Sequence, residues 1–178
     1  MAEERQSLPE VLTIRRPDQL KALGHPLRLR VLETLGAGVE EHLTNRELAQ
    51  RLGVDPGHLH FHVRMLLKAG LIDLAAGGQG REKPYRAVAR TIRVAPELVA
   101  SGQATDLRAA MLDEVQRGWE RWAPEGKFRS AQVTARVPPE RMLEFITELV
   151  DKARDAETDD AEPIVITTVF HPATGAGG

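Results

Sequence analysis

Three histidines at alternate positions, His58, His60 and His62, are the residues of this chain best suited to metal ligation or to hydrogen bonding with a partner. Residues four apart share one face of a helix, so His58 and His62 could together ligate a metal ion. His60 points to a different face, and no third ligand of a suitable type lies nearby in the sequence. We therefore predict that these side chains form hydrogen bonds to a partner, or pack, and do not hold a metal.

Other reactive residue types are sparse. The chain has no cysteine, which excludes disulfides and thiolate metal sites. Glu41 and His42 are adjacent possible metal ligands, but two such residues alone in a loop usually lie on the solvated surface. No nucleophile motif, phosphate loop or paired-carboxylate pattern occurs, and the glycines of 77–80 fit a hairpin tip better than a dinucleotide site. We predict a protein that is not an enzyme and has no cofactor.

The histidines lie in the second of two short predicted helices joined by a tight turn. Thr44 and Glu47 form a capping box that begins the first helix. Asp55 and Pro56 then supply an N-cap and a first-turn proline for the second. Helices joined in this way form the helix-turn-helix, whose second helix enters the DNA major groove.

Three segments of the sequence resemble arsenical-resistance-type (ArsR) winged-helix repressors over roughly residues 15–95. They are LKALGHPLRLRVLETL at 20–35, the recognition segment LGVDPGHLHFHVRMLLKAGLI, and LIDLAAGGQGREKPYRAVA, which reads as a two-stranded wing. The resemblance implies a DNA-binding repressor. The cysteine-bearing helix of the family's metal sensors corresponds to about 38–52, which contains no cysteine, and the helix at 105–122 has no histidine. We therefore do not expect a metal sensor.

The recognition helix, the start of the helix before it and the wing supply the predicted contacts to double-stranded DNA. The residues are Thr44, Asn45, Pro56, Gly57, His58, His60, Phe61, Arg64, Arg81, Lys83 and Arg86. His58 and His60 can hydrogen-bond base edges, while the wing cations position the protein on phosphates.

The distribution of charge supports this prediction although the net charge is −2. Residues 1–95 carry 15 Lys and Arg against 11 Asp and Glu, whereas the remainder carries 9 against 15. A local basic stripe, such as the five cations between 81 and 93, matters more for phosphate binding than total charge.

A long helix is predicted over 105–122, with an apolar stripe suited to pairing with a second copy. The predicted dimer-interface residues are Leu107, Met111, Val115, Trp119 and Trp122. Packing of this stripe on its own domain is the alternative that the spacing leaves open.

The C-terminal part predicts a small β-α-β unit. Residues 128–137 alternate apolar and polar, an amphipathic helix follows the prolines at 138–139, and IVITTVF at 164–170 is strongly β-prone. Two strands are too few for a stable sheet, so we expect pairing with another copy or with other strands. If this unit binds a small-molecule effector, its apolar surface near Trp119 and Trp122 is the expected place.

The predicted fold is α+β and predominantly helical: an N-terminal winged helix-turn-helix, a long dimerisation helix and a C-terminal β-α-β unit. The predicted divisions are a flexible arm (1–14), the DNA-binding domain (15–95), a linker and dimerisation helix (96–127), the β-α-β dimerisation or effector domain (128–171) and a disordered tail (172–178). No apolar run approaches the ~18 residues of a membrane span, and we expect a cytoplasmic homodimer. The competing hypothesis is a winged-helix protein-interaction module without specific DNA binding.

Overall fold

The computed structural model describes residues 11–36, 42–76, 83–89, 91–158 and 160–172. They form β1 (Val11–Ile14), α1 (Pro17–Leu23), α2 (Pro26–Gly36), α3 (Asn45–Leu52), α4 (Pro56–Ala69), β2 (Ile72–Leu74), β3 (Tyr85–Ala87), β4 (Thr91–Val94), α5 (Pro96–Ala100), α6 (Thr105–Trp122) and α7 (Arg141–Asp155). The predicted α+β, predominantly helical class with an N-terminal winged helix-turn-helix is confirmed. In these ranges no helix is long and apolar enough to cross a membrane.

The chain divides into two compact units, Met1–Gly118 and Trp119–Gly178, and α6 crosses the boundary. The core of the first unit lies where α1 to α4 and the wing meet. Its most deeply buried side chains include Ile14, Val31, Leu35, Leu48, Leu59, Val63, Leu66 and Leu71. Helical spacing of Leu59, Val63 and Leu66 gives α4 one fully buried face, so its position is fixed by packing.

The wing is a hairpin in which β2 and β3 pair antiparallel, with Ile72 opposite Ala87 and Leu74 opposite Tyr85. Leu43, just before α3, exchanges two backbone hydrogen bonds with Tyr85, at 3.0 and 2.8 Å. The wing is thereby tied to the start of the helix-turn-helix. The glycine-rich tip, 77–82, lies outside the described residues.

A parallel pair of strands corrects the prediction of a flexible arm over 1–14. The arm predicted as flexible includes β1, which pairs in parallel with β4 and places Ile14 at 0% exposure. The second wing strand ends at Ala87, and 91–94 belongs to this separate sheet. The apolar residues at 11–14 find their partner about 80 positions away, which local patterns do not reveal.

The segment LKALGHPLRLRVLETL forms two helices, because α1 ends at Leu23 and α2 begins at Pro26. Proline suits the first turn of a helix and cannot continue one. Gly24 lies between them, and a Cβ atom there would come within 2.6 Å of the Asp106 Cβ. The glycine allows the start of α6 to approach the α1–α2 turn closely.

In the second unit the predicted helix is present as α7, but the predicted strands are not formed. Residues 128–137 and 164–170 are assigned to neither helix nor strand. A strand exists only when its backbone pairs with another, and within the described part of this single chain neither segment has such a partner. The prediction of a β-α-β unit is therefore wrong for one chain alone.

Candidate nucleic-acid interface

The helix-turn-helix is built by local signals that the sequence already contains. Thr44 and Glu47 satisfy each other's backbone donors, with Thr44 N donating to Glu47 Oε2 at 2.7 Å. Gly53 ends α3 in the left-handed conformation, at φ 66°, which glycine adopts without strain. Asp55 Oδ1 then accepts from His58 N at 2.8 Å and begins α4.

The first two turns of α4 present their polar residues to solvent. Leu59, His62 and Val63 are buried beneath them. Phe61 is 64% exposed, so it does not fill the core. The exposed positions of this helix are Pro56, Gly57, His58, His60, Phe61, Arg64 and Lys68. All six sequence-predicted residues of α4 therefore share the accessible side of the helix.

Side chains from α3, from α1 and from the N-cap residue of α1 hold both ends of α4. At the N-terminal end, Asn45 Nδ2 donates to the Pro56 carbonyl at 2.8 Å. At the C-terminal end, the Ala69 carbonyl accepts from Arg16 Nη2 at 3.1 Å and from Gln19 Nε2 at 3.3 Å. Thr44 and Asn45, predicted as DNA contacts, are only partly exposed and already engaged in the cap and in this joint. Their role in DNA binding stays a prediction.

Arg28, on α2, joins α1 to the middle of the recognition helix. It is 6% exposed, its Nε donates to the Ala22 carbonyl and its Nη2 donates to the Lys21 carbonyl at 3.0 Å. Its Nη1 lies 3.4 Å from Nδ1 of His62, which makes that nitrogen the acceptor. Burial lowers the pKa of Arg28, and Asp106 opposes the shift.

Two neighbouring histidines pack against His62. His25 and His58 lie 4.4 and 5.0 Å from His62, measured between ring centroids. Burial, the nearby His25 and the Arg28 cation together lower the pKa of His62 from 6.5 to about 4. Because Arg28 occupies Nδ1 of His62 and places a positive charge there, His62 packs as a neutral ring at neutral pH. In the ranges that the structure covers, no group of three His, Asp or Glu is arranged to hold a metal ion.

The buried His62 predicts a pH-dependent contribution to stability. Its folded pKa is depressed, so the unfolded state binds the proton first and stability is lost as pH falls from 6.5 towards about 4. That shift corresponds to about 3 kcal/mol. We expect the stability advantage of the native protein over His62→Asn to shrink by this amount between pH 7.5 and pH 4, measured by urea denaturation.

Comparison with the variant is necessary because Glu33 acts in the opposite direction. Burial and the nearby Glu114 raise the pKa of Glu33 to about 7, so its contribution is lost as pH rises. His62→Asn leaves Glu33 unchanged, and its amide oxygen can still accept from Arg28. A stability difference that is the same at every pH would contradict a neutral, buried His62.

The wing supplies two described cations. Lys83 is exposed, and Arg86 is half-buried with its Nη2 at 3.3 Å from Asp73 Oδ2 across the hairpin. Arg86 therefore stabilises the wing through this ion pair, in addition to its predicted contact with DNA. Arg81, predicted to reach a phosphate, lies outside the described residues.

The apolar stripe of α6 differs from the predicted one. Leu107 is 7% exposed and Met111 packs against the same core, so both belong to the interior of the first unit. The large apolar residues exposed on the helix are Leu112, Val115, Trp119 and Trp122. Steps of four drift by about 40° each around a helix, whereas spacings of three, four and three stay on one face. For this reason the sequence did not indicate Leu112, whereas Leu107 and Met111, predicted at the interface, pack against the core.

Comparisons with known proteins agree with the N-terminal geometry. Residues 25–73 match the family described as winged helix-turn-helix DNA-binding. This segment runs from the start of α2 to the first wing strand. No curated protein matches the chain significantly.

Three solved structures share similarity with parts of the chain. Reduced HlyU from Vibrio cholerae is 24% identical, over 47% of this chain and 77% of that one, with a TM-score of 0.34. Rv0081 from M. tuberculosis is 30% identical, over 55% and 89%, with a TM-score of 0.33. S. aureus MepR, solved in complex with DNA, is 14% identical, over 76% and 86%, with a TM-score of 0.35.

Since these TM-scores are low, the identity of the domain rests on the match at 25–73 and on the geometry of α3 and α4. This chain contains a winged helix-turn-helix DNA-binding domain.

Proposed function

We propose that this protein is a sequence-specific transcriptional regulator of the ArsR-like type, which represses by binding a pseudo-palindromic operator as a homodimer. The observation that carries the proposal is the accessible face of α4, where Gly57, His60, Phe61 and Arg64 stand clear of a fully buried opposite face. This is the part of a recognition helix that meets base edges. We place the protein in the cytoplasm, where such a regulator meets its DNA.

Each exposed residue of α4 has a distinct use in the major groove. Gly57 has no side chain, so the helix backbone can approach the DNA closely. His60 can donate or accept a hydrogen bond at a base edge, and Phe61 offers an apolar ring to a thymine methyl group. Arg64, one turn further on, can reach a phosphate or a guanine. The side chains that fix α4, among them Arg28 and Asn45, keep these groups in place before DNA arrives.

Replacing His60 with alanine is expected to weaken binding to a selected operator by ~1–3 kcal/mol while leaving non-specific binding unchanged. The operator is obtained by selecting bound fragments from random-sequence DNA. Dissociation constants are then measured on that fragment and on unrelated DNA of equal length, each at several salt concentrations.

Lys83→Ala is the matched control. A phosphate contact carries no sequence information, so this variant should weaken binding to both DNAs alike and make the log–log salt dependence shallower by ~1. If His60→Ala also leaves the ratio of the two affinities unchanged, α4 does not read bases at this position. If native protein shows neither specificity nor salt dependence, a protein-interaction module is the better description.

A further inference from the structure

The second unit carries two β-prone segments whose backbones are unpaired. Among the described residues, 128–137 and 163–170 make no backbone–backbone hydrogen bond. Lys127 Nζ lies 3.4 Å from Glu162 Oε2, so the two segments begin at the same end of the unit with α7 between them. The strands of a parallel crossover also begin at one end with a helix between them, so this feature is compatible with such a unit without its sheet.

The same unit exposes an unusual amount of large apolar surface. Beyond the end of α6, eight such side chains are exposed, and α7 has no fully buried residue. They are Val133, Leu143, Phe145, Ile164, Val165, Ile166, Val169 and Phe170. At ~60–120 Å² for each large side chain, they offer about 500–900 Å² per copy. A stable interface needs about 800 Å² per partner.

The two segments differ in how many of their faces are apolar. In 128–137 the apolar residues alternate with polar ones, which suits a strand covered on one face. In 164–170 apolar residues occur on both faces, which suits a central strand. The latter also carries no charge, so pairing with an identical strand opposes no like charges.

An exposed segment of this composition needs a partner that buries its apolar side chains and pairs with its backbone. Residues 164–170 combine high β-propensity, no charge and no proline, the features of a segment prone to aggregate. Pro163 and Pro172 limit pairing beyond its ends. Two strands from one chain cannot form a stable sheet, whereas four strands from two chains can.

We propose that the second unit completes its sheet with a second copy of this chain. The 164–170 segments of the two copies pair antiparallel about the twofold axis, and the 128–137 segments form the outer strands. This proposal rests on the proposed homodimer and adds to it an interface separate from α6. It gives 164–170 a neighbour that a single chain cannot supply, and 128–137 then pairs along the other edge of that strand within its own chain.

The absence of native cysteine allows a direct test by single-cysteine cross-linking of the full chain. Antiparallel pairing about a twofold axis places one residue opposite its own copy, with Cα atoms about 4.5–5.5 Å apart. This separation suits a disulfide. Thr167 is the middle residue, so Thr167→Cys is expected to form a covalent dimer under mild oxidation, with Ile166→Cys and Thr168→Cys covering a shifted register.

Thr134→Cys is the matched control, because the outer strands would lie three strand spacings apart, about 14 Å. We expect it to cross-link at least ~10-fold more slowly than the best of the three central variants. Hydrogen exchange of native protein gives an independent measurement, since the amides of 164–170 should become protected as protein concentration rises.

The outcomes separate this proposal from the proposed function. Equal cross-linking rates at all four positions, in a protein that sediments as a dimer, would overturn the shared sheet and leave the homodimer standing. Protection of 164–170 that does not depend on concentration would also overturn the sheet. A native protein that sediments as a monomer would contradict both dimer proposals, whereas the His60 test of DNA reading stands independently.

Discussion

Arg28→Met is expected to lower the free energy of unfolding by about 3 kcal/mol. Arg28 is buried, and the substitution removes its hydrogen bonds to the carbonyls of Lys21 and Ala22. Each buried carbonyl left without a donor costs ~1–3 kcal/mol. Methionine fills much of the same volume, and loss of a buried cation offsets part of the cost. Urea denaturation at pH 7.5, followed by helical circular dichroism, measures the difference.

Arg30→Met is the control, since it makes the same change two positions away on α2. Arg30 is half-buried and donates to the Leu52 carbonyl at 2.9 Å, so its loss should cost no more than about 1.5 kcal/mol. The Arg28 variant should in addition lose specific DNA affinity, because α4 loses its link to α1. Equal effects of the two substitutions would show that Arg28 has no special role in the fold.

The contrast between these arginines shows what a sequence can predict about this site. Thr44, Gly53 and Asp55 act within a few residues of themselves, so the helix-turn-helix was predictable from local signals. In the sequence, Arg28 looks like an ordinary basic residue on the surface of a helix. Its burial depends on α1 and α4, which pack around it. No spacing rule reveals a contact with a residue 34 positions away.

The same limit applies to the β structure. The wing strands were predictable because they are neighbours in the sequence with glycines between them, whereas β1 and β4 pair in parallel across most of the first unit. In the second unit the patterns of 128–137 and 164–170 are those of strands, but a pattern does not supply a partner. The helix at 105–122 was predicted correctly, but burial of Leu107 and Met111 depends on packing with the rest of the first unit, which the spacing of apolar residues does not show.

Leu112→Glu is expected to weaken dimerisation at least ~100-fold without lowering the stability of the monomer. Leu112 is 63% exposed, so glutamate there is solvated in a single chain. In a symmetric interface the residue occurs once on each copy, so two carboxylates would be buried without partners. Buried, unpaired charge costs several kcal/mol. Sedimentation at micromolar concentration measures the change, and binding to the selected operator should fall with it.

Ala109→Glu is the matched control, because it adds the same charge to an exposed position of α6 about 100° around the helix from the centre of the stripe. It should leave both dimerisation and operator binding unchanged. Leu107→Ala should instead affect the stability of the monomer. It should lower the free energy of unfolding by ~2–5 kcal/mol, because it leaves a cavity in the core. If Leu112→Glu and Ala109→Glu behave alike in sedimentation, the exposed stripe of α6 is not a dimer surface, and any dimer must be held by the second unit alone.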